Sequence, residues 1–426
     1  MRKYLLLLFI LIHSQCLFGQ NVHYAQSVID TLTSPTMAGR GYNNDGLQKA
    51  SDFIKNEFIK AGIDGFTENY LQEFTIPMNI IKNTVIQKGK LKPAEDYYVN
   101  IMSGSGSGRF KVFIADESIF ANRASMRKFI QTDHSDFFIL FPPSVNDHAD
   151  YKDYVNAMTF SGQKQAAGFI QVTQQEISWH VYMFGKPLDV PLITIKENDK
   201  RISTLKKIHI NISTEFFPEF PVSNVCGYIP GTEHPDSFIV FCAHYDHLGM
   251  MGDVIFPGAN DNASGVAMML DLMHYFNSKD HRLPYSVVFL AFTAEEAGIL
   301  GASYFVENPL IDLEAIRFLI NLDLVGTGRE GIQIVNGSVF TNEFNVLKQI
   351  NNQHDYLPEI KSRGEACNSD HCPFHMAGVP SFFIYTLDSE YPWYHVPQDK
   401  AEKLPLTGYE GLFRLLVDFS KEISSH

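Results

Sequence analysis

Two stretches, 238–244 (FIVFCAH) and 285–296 (YSVVFLAFTAEE), run apolar for six or more residues without polar alternation. Both are rich in Val, Ile and Phe, the pattern of strands buried on both faces. The run at 316–323 (IRFLINLD) and another near 380–385 repeat it. Between them the period lengthens. Residues 263–276 mix Ala, Met and Leu as a helix would, further helices are expected at about 299–307 and 408–424, and Ala50, Ile54, Phe58 and Ala61 recur at helical spacing before Gly62. Strands alternating with helices predict a three-layer α/β/α sandwich. The acidic residues and the histidine of these runs fall at their C-terminal ends, which in an open α/β sheet line the ligand crevice.

The stretch from about 86 to 204 has a different texture. FKVFIA, DFFILF, AAGFIQV and PLITI read as strands, and no long regular helix separates them. SGSGSG at 103–108 lacks the Lys-Ser/Thr of a phosphate-binding loop and reads as a flexible loop. This predicts a β-rich insertion between 20–85 and 205–426.

The strand ends carry the chemistry. In order they present His244 and Asp246, then Asp261 in PGANDNASG, the pair Glu295-Glu296, Asp323, and His395 in WYHVPQD. Imidazole nitrogen and carboxylate oxygen are the donors a zinc-like cation takes. Two cations about 3.5–4 Å apart can clamp the attacking and the leaving oxygen, and a carboxylate touching both fits between them. Asp261 is assigned that bridge, and His244 a terminal position. Asp246, two residues from His244, is expected to orient its imidazole. Adjacent glutamates point apart, so one can bind metal while the other acts as base. The set His244, Asp261, Glu296, Asp323 and His395 gives each of two metals three protein contacts and leaves room for water.

The pieces AHYDHLG, GANDNASG, AEEAG, NLDLVG, SDHCPF and YHVPQD, in this order, resemble the co-catalytic zinc exopeptidases of peptidase family M28, which include bacterial leucyl aminopeptidases, aminopeptidase Y, glutamate carboxypeptidase and glutaminyl cyclases. The resemblance covers about 205–426 and, more loosely, 22–80. It implies a mixed central sheet and two Zn2+ per chain, with Mn2+ or Co2+ as substitutes. It implies that His244, Asp261 and Asp323 hold one ion, that Asp261, Glu296 and His395 hold the other, and that Glu295 is the general base. Tyr394 matches a tyrosine that helps stabilise the tetrahedral intermediate in some members. The insertion, ending in VPLITI, resembles a protease-associated domain. The implied substrates are peptides with a free N-terminus. A single-zinc glutaminyl cyclase would not need His244. The related deacylases place their extra domain after the Glu-Glu pair, and a carboxypeptidase needs cations such as Arg329 or Arg363 near the site. A catalytically dead binding paralogue would have lost ligands or the base, and none is missing.

Charge and composition narrow the class further. The chain has 426 residues and a formal net charge of −14, which argues against nucleic acid as a partner. Residues 1–19, with Arg2 and Lys3 before YLLLLFILI, read as a signal peptide too short to span a bilayer. The reading is an exported, periplasmic or extracellular protein with no stable membrane insertion and a mature charge of −14 − 2 = −16. Cys226 and Cys242 fall in apolar runs, while Cys367 and Cys372 flank a loop and could pair. His247, His371 and His375 are read as structural, Asp399 as fixing the His395 loop, and Arg40 as a structural salt bridge.

Overall fold

A computed structural model describes residues 22–160, 166–198 and 202–424; the expected signal peptide lies outside them. The core is a mixed sheet flanked by helices, as the pattern predicts. From one edge its strands run Ile360–Ser362, Ile332–Val335, Ser381–Thr386, Ile316–Leu322, His234–His244, Tyr285–Phe292 and Lys207–Ile229. The central four, Ser381–Thr386 through Tyr285–Phe292, are parallel. All eight residues of Tyr285–Phe292 are buried. Their side chains divide by parity. Val287 and Phe289 face the helices Val22–Leu32, Ser264–Asn277 and Tyr409–Ile423, whereas Val288, Leu290 and Phe292 pack with Ala302, Phe305 and Phe374. Two helical layers on one sheet therefore follow from continuous apolarity, since a strand with a polar face could not be covered twice.

Register places the chemistry. His244 pairs with Phe292, Cys242 with Asn321, and Leu322 with Ile384. His244, Glu295, Glu296 and Asp323 thus emerge along one rim of the sheet.

The stretch at about 86–204 is joined to the rest by more than its chain ends. Lys207–Ile229 pairs with Tyr285–Phe292 near its C-terminus and with Gly106–Ile114 near its N-terminus. Through it the sheet continues into His134–Phe141, Ala166–Thr173, Leu192–Lys196 and Tyr97–Val99, for fourteen strands in all. Leu71–Ile86 lies antiparallel along most of Lys207–Ile229. Sequence reading missed the extent of this ribbon because Pro77, Pro218 and Pro221 argue against strand. The pairing absorbs Pro77 in a register shift between Ile76 and Met78. SGSGSG is also only half a loop: Gly106, Ser107 and Gly108 already pair with Ile212, Asn211 and Ile210.

The segment before the helix Gly46–Ala61 crosses the loop after His244 at backbone distance. A Cβ on Gly41 would lie 2.2 Å from Gly249 Cα, and Gly39 adopts φ +65°. Only glycine permits both. Arg40, between them, is fully buried. It forms no salt bridge among the described residues. Its guanidinium instead donates to the carbonyls of Leu32, Tyr245, Pro257, Gly258 and Asp261, and so ties the first helix to both metal-side loops.

Candidate metal centre

Asp261 sits in a turn between Gly258 and the helix Ser264–Asn277, and the side chains of GANDNASG hold that turn. Asn260 Oδ1 accepts from the Gly326 N–H at 2.8 Å. Asn262 donates to Leu322 O at 2.9 Å and accepts from the N–H groups of Gly265 and Leu324. The Ser264 hydroxyl accepts from the Val325 N–H at 3.0 Å and donates to Asn260 O. The turn is thereby fastened to the loop that follows Leu322, which carries Asp323. The motif was legible as a site for Asp261, but its flanking amides act at long range and left no spacing signal.

The two oxygens of Asp261 face different partners. Oδ1 lies 3.5 Å from His244 Nε2, and Oδ2 lies 3.2 Å from His395 Nε2. His244 Nε2 is also 3.3 Å from Asp323 Oδ1, and His395 Nε2 is 3.1 Å from Glu296 Oε2. Glu295 Oε2 is 4.0 Å from His244 Nε2. The structure thus brings together His244, Asp261, Glu295, Glu296, Asp323 and His395 around one shared carboxylate. Two trios have donor atoms close enough to hold an ion, His244–Asp261–Asp323 and His247–Asp261–Glu296.

His247 enters through Glu296. Its Nδ1–H donates to Glu296 Oε1 at 2.7 Å, which leaves Oε2 toward His395. Sequence reading kept His247 apart from the ligands; its closeness to Glu296 had no sequence signal.

Asp246 has other partners than the expected one, whereas Asp399 fixes the His395 loop as expected. The Asp246 carboxylate lies 3.7 Å from His244 Nδ1, beyond hydrogen-bond distance, and that nitrogen faces the Asp246 backbone carbonyl at 3.2 Å. The carboxylate accepts from the N–H groups of Glu295 and Glu296 and from the Tyr42 hydroxyl. It therefore positions the Glu-Glu pair. Asp399 accepts from the N–H groups of Asn260 and Asp261 at 2.9 and 3.1 Å and from the Tyr391 hydroxyl, so it joins the His395 loop to the Asp261 turn. Tyr394 is half-exposed and its ring stacks on His395 with centroids 3.9 Å apart.

The electrostatics are those of crowded carboxylates. Burial drives the Glu295 carboxyl well above its usual range, with Asp370, Glu296 and Asp323 adding to the shift against the opposing pull of His244. Burial also raises Asp246, to about 6. On His395 burial works downward, but Glu296 and Asp261 outweigh it and raise the imidazole to about 11. His244 is likewise raised, burial being outweighed by Asp323, Glu295 and Asp261. Such a cluster is at odds with itself without added positive charge.

The donor set fits a cation. Asp323 Oδ1 is buried and makes no hydrogen bond among the described residues, although His244 Nε2 is 3.3 Å away. Imidazole nitrogen and carboxylate oxygen that converge around such an unbonded carboxylate atom suit a zinc-like ion. Nearby, Cys367 and Cys372 form a disulfide, and Ser369 within that loop donates to Asp323 Oδ2 at 2.8 Å. His371 and His375 turn to Ala366 O and Glu365, outside both trios.

Residues 224–420 match the model of peptidase family M28. This part of the chain is an M28 domain. Aminopeptidase YwaD of Bacillus subtilis is 30% identical over 229 residues, 52% of this chain and 48% of the relative. Leucine aminopeptidase 1 of Pyrenophora tritici-repentis is 26% identical over 46% of this chain and 54% of its own length. The chain thus spans about half the length of the curated relatives it matches. Among solved structures, BSAP, a zinc aminopeptidase from Bacillus subtilis, superposes with a TM-score of 0.71 at 21% identity, over 95% of both chains. That likeness extends the shared fold beyond the M28 domain to nearly the whole chain.

Proposed function

We propose that the protein is an exported di-zinc metallo-aminopeptidase. The observation that carries this reading is the shared Asp261, with one oxygen toward His244 and the other toward His395. His244 and Asp323 complete one ion's ligands, and Glu296 and His395 the other's, with His247 orienting Glu296. Zinc, when bound, lowers the pKa of a water to about 7 and polarises a carbonyl oxygen. Glu295 takes the proton from the attacking water and hands it to the leaving amine. Its raised carboxyl and its backbone grip by Asp246 suit that task. Tyr394, over His395, donates toward the developing oxyanion.

The choice of the N-terminus rests on charge. Glu295, Glu296, Asp261, Asp323 and Asp370 favour a cationic group, and an α-ammonium is one. The two arginines that might have met a terminal carboxylate are engaged elsewhere, Arg329 with Asp388 and Glu390 and Arg363 with Tyr385. The named aminopeptidase relatives support the same choice.

In this reading 1–19 is a signal peptide, 20–85 and 205–426 form the peptidase, and 86–204 is a protease-associated-like insertion. The Cys367–Cys372 disulfide suits an oxidising compartment. The activity is tested with a free aminoacyl peptide, its N-acetylated twin and a C-terminally amidated form. Acetylation should abolish cleavage and amidation should change it little. The opposite pattern would make the protein a carboxypeptidase. Export is tested by the mature N-terminus, expected at Gln20; an intact Met1 on the purified native protein would refute it.

A further inference from the structure

We propose that His180, carried by the inserted stretch, is a positioning residue for His395: it accepts the Nδ1–H of that imidazole and so aims the Nε2 lone pair at Asp261 and Glu296. The inference rests on the reading of His395 as a metal ligand.

His395 Nδ1 and His180 Nδ1 lie 3.1 Å apart, and the rings meet edge to face with centroids 4.7 Å apart. Two ring nitrogens at that distance share one proton. If His395 Nε2 is to bind a cation, the proton must sit on His395 Nδ1, and His180 Nδ1 must accept it. The accepting tautomer of His180 carries its own proton on Nε2. That atom lies 3.0 Å from the Ser178 hydroxyl, which can receive it. The chain of contacts is therefore self-consistent in one direction only: metal, His395, His180, Ser178.

The same stretch holds the backbone of His395. Trp179 N–H donates to His395 O at 3.3 Å. His395 has φ 55°, a left-handed conformation uncommon for a non-glycine residue, so an external restraint on its carbonyl matters. Trp179 is itself anchored, buried against Phe256 and donating from Nε1 to Val99 O at 2.9 Å. Backbone and ring of His395 are thus both set by adjacent residues of the insertion, Trp179 and His180. A metal-ligating imidazole normally gives its second N–H to a carboxylate, carbonyl or water. Here the acceptor comes from a part of the chain outside the M28 match.

His180 is exposed, so its removal leaves the core intact. The test measures Zn2+ and Co2+ affinity by competition with a chromophoric chelator for the wild type, His180→Ala, His180→Asn and His395→Ala, with thermal melts of each metal-free protein. Asn can place an acceptor oxygen where Nδ1 stood. In His180→Ala one ion should bind about 10–100-fold more weakly while the other binds as in the wild type. His180→Asn should recover most of the loss, and the metal-free melts should coincide. Wild-type affinity for both ions in His180→Ala would overturn the proposal. So would weakening of both ions with a lowered melt, or an Asn variant no better than Ala. His395→Ala separates the two layers of argument: if it keeps both ions at wild-type affinity, the ligand reading itself falls and the role of His180 with it.

Discussion

In the proposed mechanism Glu295 and Glu296 are neighbours with opposite tasks, and their surroundings separate them. Asp246 fixes both N–H groups, and His247 and His395 claim the oxygens of Glu296, which leaves Glu295 the freer carboxylate. Glu295→Gln should keep both metals and lose about 10²–10⁴-fold in turnover, measured beside metal content. Near-wild-type turnover would mean that the pair has been read the wrong way round. The pH behaviour of the metal-free protein follows from the same crowding. His244 and His395 have folded pKa values raised above their unfolded value of about 6.5. Their stabilisation is complete below that value and is lost as pH climbs toward about 11. Glu295 acts in the same sense, because its folded carboxyl resists ionising. The chelator-treated protein should therefore melt at progressively lower temperature as pH rises above about 6.5, and the zinc-loaded protein much less so. A flat melt for the metal-free form would show that the carboxylates are relieved in some other way. At this scale the convergence of His244, Asp261, Glu296, Asp323 and His395 was legible, because chemistry restricts which side chains can bind a cation. The contacts of Asp246 and His247 were not, since each depends on a meeting that chain spacing does not encode, whereas Asp399 could be read as fixing the His395 loop.

Among the elements, the buried parallel strands were the easiest to read and the loops fastening them the hardest. A continuous apolar run has one interpretation in a covered sheet, so the strands ending in His244 and at Phe292 and Leu322 could be drawn from sequence. The ribbon of Leu71–Ile86 and Lys207–Ile229 could not, because its prolines speak against a strand until the partner is known. Arg40 failed for a related reason. A buried arginine suggests a carboxylate, yet five carbonyls from two loops and a helix serve in its place. Arg40→Met should cost about 3 kcal/mol or more in urea unfolding, because it strands those carbonyls without water. It should also weaken metal binding, since the Pro257–Asp261 stretch loses its anchor. A variant as stable as the wild type would mean that water replaces the guanidinium.

For the molecule as a whole, the proposed stoichiometry is two ions per chain, with activity removed by a chelator and restored by zinc. Metal analysis that saturates at one ion would revive the cyclase alternative. The layer architecture was visible from alternating strands and helices, and the change of texture at about 86–204 coincides with strands that extend the sheet past Lys207–Ile229. What composition could not reveal is how the two parts are joined, because that depends on hydrogen bonds between Lys207–Ile229 and strands on both sides of it.

That shared strand has a mechanical consequence. A tether of loose chain would let the insertion swing freely over the metal centre. A paired two-stranded ribbon resists stretching and sliding, since either would break many backbone hydrogen bonds at once. It yields most readily by bending where its ladder is interrupted, at the shifts between Ile76 and Met78 and between Ile81 and Asn83. Any opening above His244 and His395 would then be a rocking about those points. Because Trp179 and His180 ride on the moving side, such a rock would loosen His395 as it widened the entrance.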